Sequence, residues 1–119
     1  MRSLIIVLCS LLWSITLMAA EVEIVDAKAK KSGSSWQFDV TLRHGDTGWK
    51  HYANKWEVLS LNGKVLGTRV LYHPHVEEQP FTRSLSGVDI PQGTKEVLIR
   101  AYDSKHGKSS KDYKLQLPN

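Results

Sequence analysis

The sequence predicts an all-β domain, and three observations support this fold class. From residue 21 onward the apolar residues recur with a period of two, which is the period of a half-buried strand. In the same region, no window of useful length shows the period of an amphipathic helix. Clusters of Gly, Ser, Asn and Pro interrupt the alternation about every ten residues, which is typical of short antiparallel strands joined by turns.

The first twenty residues differ from the rest of the chain and match a secretory signal peptide. Arg2 is basic, residues 4–17 form an almost unbroken apolar run, and small residues then precede a polar one. We expect cleavage after Ala20, which makes residues 1–20 the signal peptide. Because Met18 stands where a small residue is usual, an uncleaved membrane anchor is the alternative.

Residues 21–119 would then be a single exported domain, periplasmic or secreted, with no membrane span once the signal is removed. This length supports one hydrophobic core. Cys9 and both methionines precede the domain, so cysteine zinc sites, iron–sulfur clusters and thioether-bound Cu(I) are excluded. Without Arg2 the 16 basic residues become 15, against 12 acidic ones, and the lysines are scattered without aromatic interleaving. We therefore expect no nucleic-acid partner.

The first two predicted strands flank a flexible polar turn at residues 31–35. In the first strand, Val22 and Ile24 alternate with charged residues, and Ala27 is a further inward candidate. The second strand has the clearest alternation in the chain, since every other residue is apolar and the residues between are polar. Its inward residues are Trp36, Phe38, Val40 and Leu42.

The third and fourth strands are predicted to form a hairpin. Asn62-Gly63 between them is the strongest short hairpin signal, since both positions accept positive φ. Trp56 and Val58 are the expected inward pair of the third strand, and the fourth strand covers residues 64–72. A long polar connection, residues 73–79, follows the hairpin.

Three further strands complete the chain. Pro80 opens the fifth, and an early proline suits a strand start or a sheet edge. The inward residues of these strands are Phe81, Arg83 and Leu85; Val97, Ile99 and Ala101; and Tyr113, Leu115 and Leu117. Seven short antiparallel strands without a helix are typical of an immunoglobulin- or fibronectin III-like sandwich. Trp56 would be the buried indole that such cores use, here without the disulfide.

All five histidines fall on connections that this arrangement places at one end of the sandwich. Successive connections alternate between the two ends, so residues 44–54, 73–79 and 105–110 share an end. The histidines on them are His44, His51, His73, His75 and His106. Imidazole is a common ligand for divalent metals, and a site with only nitrogen and oxygen donors would suit Zn(II), Cu(II), Ni(II) or Fe(II).

We place His73 and His75 first among these candidate ligands. Pro74 between them favours extended backbone, in which residues two apart point the same way. Four acidic residues on or beside the same loops could act as oxygen ligands or hold a ring in one tautomer: Asp46, Glu77, Glu78 and Asp103. The sequence thus predicts a metal carrier, chaperone or sensor, and the ordinary alternative is that the loop histidines are simply solvated.

The same loops carry residues that suit a partner instead of a metal. Trp49, Tyr52 and Phe81 are either lids over the core or exposed anchors for an envelope protein or a glycan. Arg83, at an inward position, either pairs with one of the two loop glutamates or binds an anion. Because no nucleophile motif or paired-acid spacing occurs, we do not expect an enzyme, and a metal-dependent hydrolase is the weakest hypothesis.

Four segments resemble a family of small exported bacterial proteins to which no activity has been assigned. These segments are residues 48–58 (GWKHYANKWEV), 67–75 (GTRVLYHPH), 78–85 (EQPFTRSL) and 103–107 (DSKHG). The resemblance covers most of the domain. It implies export and a compact domain, and it implies nothing about chemistry.

Overall fold

The computed structural model describes residues 21–119, and it confirms the antiparallel β-sandwich. Two sheets pack face to face, and the hydrophobic core lies between them. The predicted signal peptide, residues 1–20, lies outside the described residues. Within the described part of the chain, no helix has the length and apolar character needed to cross a membrane.

Eight strands form the two sheets. In chain order they are β1 (Glu23–Ser32), β2 (Ser35–Arg43), β3 (Ala53–Leu59), β4 (Val65–Val70), β5 (Phe81–Val88), β6 (Glu96–Asp103), β7 (Gly107–Lys108) and β8 (Tyr113–Gln116). One sheet has the order β1-β2-β5. The other has the order β4-β3-β6, and both β7 and β8 pair with the far side of β6.

The chain crosses from the larger sheet to the smaller one after β4. β4 pairs with β3 in the larger sheet, whereas β5 pairs with β2 in the smaller one. In a constant-type immunoglobulin domain the fourth strand instead joins the sheet of the first, second and fifth strands. Residues 71–80 therefore cross between the sheets over one end of the sandwich, and this crossing carries His73 and His75.

The core contains the inward residues that the alternation predicts. The fully buried members are Phe38, Val40 and Leu42 of β2, Trp56 and Val58 of β3, and Val97, Ile99 and Ala101 of β6. Trp56 is the largest of them, which confirms its predicted role. At about 25 cal/mol per Å² over about 200 Å², burying an aromatic of this size stabilises the fold by roughly 5 kcal/mol before entropy is counted.

Register shifts explain two of the places where the period of two fails. The register of β1 shifts between Ile24 and Asp26, and Ile24 and Ala27, three residues apart, both pack on the core. A bulge inserts one extra residue and so changes which positions share a face. A second shift, between Trp36 and Phe38, puts the extra residue in β5, where Leu85 and Val88, three residues apart, both pack on the core.

The two-residue strand β7 adds to the seven predicted strands. It lies within the predicted turn at residues 105–110 and pairs with Tyr102 and Asp103 at the end of β6. Gly107 has a φ of 73°, a conformation that glycine adopts without strain. The chain therefore reverses tightly here, and this reversal brings His106 close to Asp103.

Contacts between loops confirm that the three histidine-bearing connections share one end. The backbone N–H of His44 donates to the side-chain oxygen of Gln79 at 2.9 Å, which joins the β2–β3 and β4–β5 connections. The N–H of Ser104 donates to the carbonyl oxygen of Tyr52 at 2.8 Å, which joins the β2–β3 and β6–β7 connections. All five histidines therefore lie at this end, which we call the histidine end.

Candidate metal centre

Asp46 is a buried carboxylate that connects two of the loops at the histidine end. Its Oδ1 accepts from the N–H of Ala53 at 3.1 Å and from Nδ1 of His44. Its Oδ2 accepts from the N–H of His75 at 2.8 Å. A carboxylate with a fully buried side chain needs such donors, because an unpaired buried charge is costly. One side chain thus fixes the β2–β3 connection against the β4–β5 connection.

The contact with Asp46 determines which nitrogen of His44 can act as a metal donor. Nδ1 must carry a proton to donate to the carboxylate, so the lone pair of the neutral ring is on Nε2. A carboxylate behind the ring is the usual support of a metal-ligating imidazole. The side chain of His44 is fully buried, so the ring is held in this orientation by packing as well.

His44, His51 and Asp103 converge at the centre of the histidine end. Each offers one ligand atom, and these atoms all lie within 4.8 Å of one another. The rings of the two histidines meet edge to face, with 4.8 Å between centroids. Nε2 of His51 lies 3.5 Å from Oδ1 of Asp103 and has no hydrogen-bond partner among residues 21–119. We call these three residues the donor group.

His106 flanks the donor group on its solvent side. Its ring centroid lies 4.9 Å from that of His51, and its Nδ1 lies 3.2 Å from Oδ1 of Asp103. The same oxygen accepts the backbone N–H groups of Lys105 at 2.9 Å and of His106 at 2.6 Å. Asp103 therefore closes the β6–β7 turn and also contacts both neighbouring imidazoles.

His73 and His75 form a separate pair on the other side of Asp46. The two rings lie on the same side of the chain, as the intervening proline predicts, with 4.7 Å between centroids. His73 is exposed, whereas His75 is buried and stacks on Phe81 at 3.9 Å. Nη2 of Arg83 donates to Nε2 of His75 at 2.8 Å, which occupies the lone pair that a metal would need.

The surroundings of His75 favour its neutral form. Burial lowers the pKa of His75 below its usual range, and the positive charge of Arg83 and the neighbouring His73 lower it further. A neutral ring is also the form that can accept the guanidinium proton. His75 is therefore part of a stacked, uncharged lid over the core.

The contacts of Arg83 support the ion-pair reading of this residue. Its Nη1 lies 3.3 Å from Oε1 of Glu78, as the sequence predicts for one of the two loop glutamates. Glu77, the other, is exposed. The guanidinium also lies 5.5 Å from the centre of the Phe81 ring. Arg83 thus fastens the β4–β5 connection to β5.

The three candidate partner-binding aromatics separate into lids and exposed anchors. Phe81 is 2% exposed, so the exposed-anchor reading of this residue does not hold, because its ring packs in the core under His75. Trp49 is 69% exposed and meets Tyr52 edge to face at 5.9 Å. Trp49 therefore lies at the surface and Tyr52 is half-buried, one on either side of His51 in the chain.

Two residues that join the loops at the histidine end were not predicted from the sequence. Gln79 accepts the N–H of His44 and donates from Nε2 to the carbonyl oxygen of His75 at 2.8 Å. Ser104 accepts the N–H of Tyr52 at 3.0 Å. Neutral polar residues in loops have no periodicity and no motif, so no sequence signal distinguishes these two from other loop residues.

Comparison with known proteins places the chain near a provisionally named lipoprotein from the halophilic archaeon Halomicrobium mukohataei. The two are 41% identical over 88 residues, which cover 73% of this chain and 43% of that relative. The chain thus spans less than half of the relative's length. No family model matches the chain, and no solved structure matches it significantly. Because this relative is archaeal, the bacterial origin that the resemblance implies is not confirmed.

Proposed function

We propose that this protein is an exported domain that binds a divalent transition metal through His44, His51 and Asp103. The observation that carries the proposal is the convergence of the three ligand atoms within 4.8 Å of one another. Two imidazoles and one carboxylate, without sulfur, suit Zn(II), Cu(II), Ni(II) or Fe(II). A carrier, a chaperone or a sensor of such a metal would need no further chemistry.

The donor group contains features that a bound cation would satisfy. The side chain of Asp103 is 1% exposed, so its negative charge lies in a poorly hydrated position. The buried Nε2 of His51 beside it has no hydrogen bond among the described residues. A divalent cation would neutralise the carboxylate and use the imidazole lone pair, and Asp46 already holds His44 in the tautomer that supplies a second lone pair.

Two features support the exported location. The apolar leader at residues 1–20 matches a secretory signal, and the archaeal relative is named as a lipoprotein. Lipoproteins are exported proteins, so both features point to the cell envelope or beyond. We infer a periplasmic or secreted location, where the domain would meet metal ions outside the cytoplasm.

Calorimetric titration of the purified metal-free protein with Zn(II), Cu(II) and Ni(II) tests metal binding. We expect one equivalent to bind to the wild type. The His51→Ala variant should lose more affinity than the roughly 10- to 100-fold typical of removing an outer-shell partner. The matched control is His73→Ala, which removes an exposed imidazole of the separate pair.

Three results would reject the proposal. They are an affinity no tighter than millimolar for all three metals, equal losses in the two variants, or a loss confined to His73→Ala. Far-ultraviolet circular dichroism of each variant establishes that a loss of binding reflects a lost ligand and not a lost fold. His51 is suited to this test because its side chain is partly exposed and makes no hydrogen bond that the fold depends on.

A second candidate function is the binding of an envelope protein or a glycan by the same loops. Exposed apolar side chains near the histidine end favour it: Trp49 is 69% exposed, Tyr72 is 74% exposed and Val76 is 57% exposed. Exposed aromatics are frequent anchors in binding interfaces. Capture from envelope extract that is lost with Trp49→Ala would support this function, and identical empty captures with both proteins would count against it.

A further inference from the structure

We infer that the proposed metal site keeps one coordination position open to a small ligand from solvent. The inference rests on the proposed function and deepens it, because it assigns the site to the class that exchanges ligands. Closed structural zinc sites use four protein ligands, whereas sites that bind or activate a ligand use three and leave a further position to water or substrate. The number and placement of the protein donors therefore decide the class.

The described residues supply three converging donors. Among residues 21–119, His44, His51 and Asp103 form a group whose ligand atoms lie within 4.8 Å of one another. Two nearby groups could in principle add a fourth donor, namely His106 and Asp46. The contacts of His106 and of Asp46 argue against either side chain acting as the fourth ligand.

His106 approaches Asp103 from outside the donor group. Its Nδ1 lies 3.2 Å from Oδ1 of Asp103, the oxygen that also lies 3.5 Å from Nε2 of His51. The two nitrogens of an imidazole ring point in diverging directions, so Nε2 of His106 is directed away from this oxygen. His106 thus contacts the carboxylate from the solvent side, and it is not among the three residues whose ligand atoms all lie within 4.8 Å of one another.

Asp46 is committed to groups behind the ring of His44. One of its oxygens accepts from Nδ1 of His44 and from the N–H of Ala53, and the other accepts from the N–H of His75. A metal held by the opposite nitrogen of His44 would be separated from this carboxylate by the ring itself. Asp46 therefore supports a ligand and is not one.

The donor group lies nearest to solvent on one side. The side chains of His44 and Asp103 are buried, whereas that of His51 is 17% exposed and that of His106 is 42% exposed. The solvent-facing side of the donor group is therefore the side that carries His51 and His106, and a small ligand would approach a bound metal from there.

The charge of the site selects the class of ligand. Asp103 would neutralise one of the two positive charges of the metal, and neutral imidazoles would leave the second uncompensated on the solvent side. A water molecule, a hydroxide or a small monoanion is therefore the favoured occupant. Two histidines and one carboxylate with open positions are also the donor set with which Fe(II) binds exogenous ligands.

Azide titration of the Cu(II)-loaded protein tests the open position. Azide is a small monoanion, and its coordination to Cu(II) produces a charge-transfer absorption band and changes the electron paramagnetic resonance spectrum. We expect a saturable band with one azide per copper in the wild type. His106→Ala should keep that band with an azide dissociation constant within about threefold of wild type. Circular dichroism of this variant serves as the folding control.

The outcomes separate this inference from the proposed function. If one Cu(II) binds but azide produces no band and no spectral change, the site is closed and the inference fails while the proposed function stands. If His106→Ala strengthens azide binding by about tenfold or more, His106 fills the position in the wild type and the inference also fails. If none of Cu(II), Zn(II) and Ni(II) binds, both the inference and the proposed function fail.

Discussion

Asp46 is the single side chain on which the geometry of the histidine end depends most. Its two oxygens contact an imidazole and two backbone N–H groups from separate connections, and the side chain is fully buried. Replacing a carboxylate by an amide would place N–H donors against N–H donors, which leaves buried groups unsatisfied. The residue therefore affects both the stability of the loops and the tautomer of His44.

Asp46→Asn should weaken Zn(II) binding by about 10- to 100-fold, because His44 loses the carboxylate that holds its proton on Nδ1. The same change should lower the free energy of unfolding by roughly 1–3 kcal/mol through unsatisfied buried donors. Calorimetry and urea denaturation measure the two effects. Asp89→Asn, in the exposed β5–β6 connection, is the matched control and should change neither. An Asp46→Asn protein with wild-type metal affinity would contradict the assigned role.

The histidines show what sequence can and cannot say about single residues. The sequence identified all five as neighbours at one end, but it ranked His73 and His75 first because they are close in the chain. The structure instead brings His44 and His51 of one connection together with Asp103, which lies far later in the sequence. The ring of His75 is engaged by Arg83, and a hydrogen bond of this kind depends on tertiary contacts that no spacing rule reveals.

The lowered pKa of His75 predicts a pH dependence of stability. Since burial lowers the pKa in the folded state, the unfolded chain takes up a proton near pH 6.5 while the folded protein does not. The contribution of the buried, neutral His75 to the free energy of unfolding is complete above pH 6.5. It is lost as the pH falls from 6.5 to the pKa of His75 in the folded state. Urea denaturation in a chelator across this range should show a smaller pH slope for His75→Gln than for wild type, by at most about one bound proton.

The control for this experiment is His73→Gln, which changes the exposed imidazole two residues away. It should leave most of the pH slope in place, because a substitution at this exposed position does not change the burial that lowers the pKa of His75. Equal slopes for His75→Gln and wild type would show that His75 is not the source of the acid sensitivity.

The packing of β4 over β5 depends on a glycine. A Cβ atom at Gly67 would lie 3.0 Å from Cδ2 of Leu85 and 3.2 Å from Cγ2 of Val88, closer than ordinary contact. β4 belongs to the larger sheet and β5 to the smaller one, so these contacts lie where the two sheets meet. The absence of a side chain at Gly67 allows the sheets to approach at this edge.

Gly67→Ala should lower the free energy of unfolding by roughly 1–3 kcal/mol, because the added methyl group overpacks the contact between β4 and β5. Gly45→Ala is the matched control, since a Cβ there would meet no atom within 4 Å. The control should change stability by no more than about 1 kcal/mol. Urea denaturation of both variants measures the difference, and equal effects would contradict the proposed packing role of Gly67.

Strand faces were predictable from the sequence, and local irregularities were not. Alternation placed Phe38, Val40 and Leu42 on the inner face because one side of an antiparallel sheet is buried and the other is wet. The bulge in β1 was not predicted, because one inserted residue gives no recognisable signal in the amino-acid composition. The strand β7 escaped it because two residues are too few to show a period.

The complete domain should become more stable when the donor group is occupied. The group joins the β2–β3 connection to the end of β6, and a ligand that binds only the folded state stabilises it. Zn(II) at about 100 times its dissociation constant adds roughly 2.7 kcal/mol, which for a domain of this size corresponds to about 10 °C or more in Tm. Differential scanning calorimetry with and without a chelator measures the shift. His51→Ala should abolish it, and an equal shift in that variant would contradict the assignment.

The gathering of the histidines at one end was predictable because antiparallel connections alternate between the ends of a sandwich. The hydrogen bonds from His44 to Gln79 and from Ser104 to Tyr52 confirm it. The arrangement within that end was not predictable, because it depends on which side chain each loop turns inward. Asp46 and Asp103, both on loops or strand ends, are buried there despite their charge.

An anomalous difference map of a crystal grown with Zn(II), measured at the zinc absorption edge, tests the central claim most directly. The account predicts one strong peak between the imidazoles of His44 and His51 and the carboxylate of Asp103. A strong peak at the His73–His75 pair, or no peak at the donor group in a crystal whose protein binds zinc in solution, would contradict it.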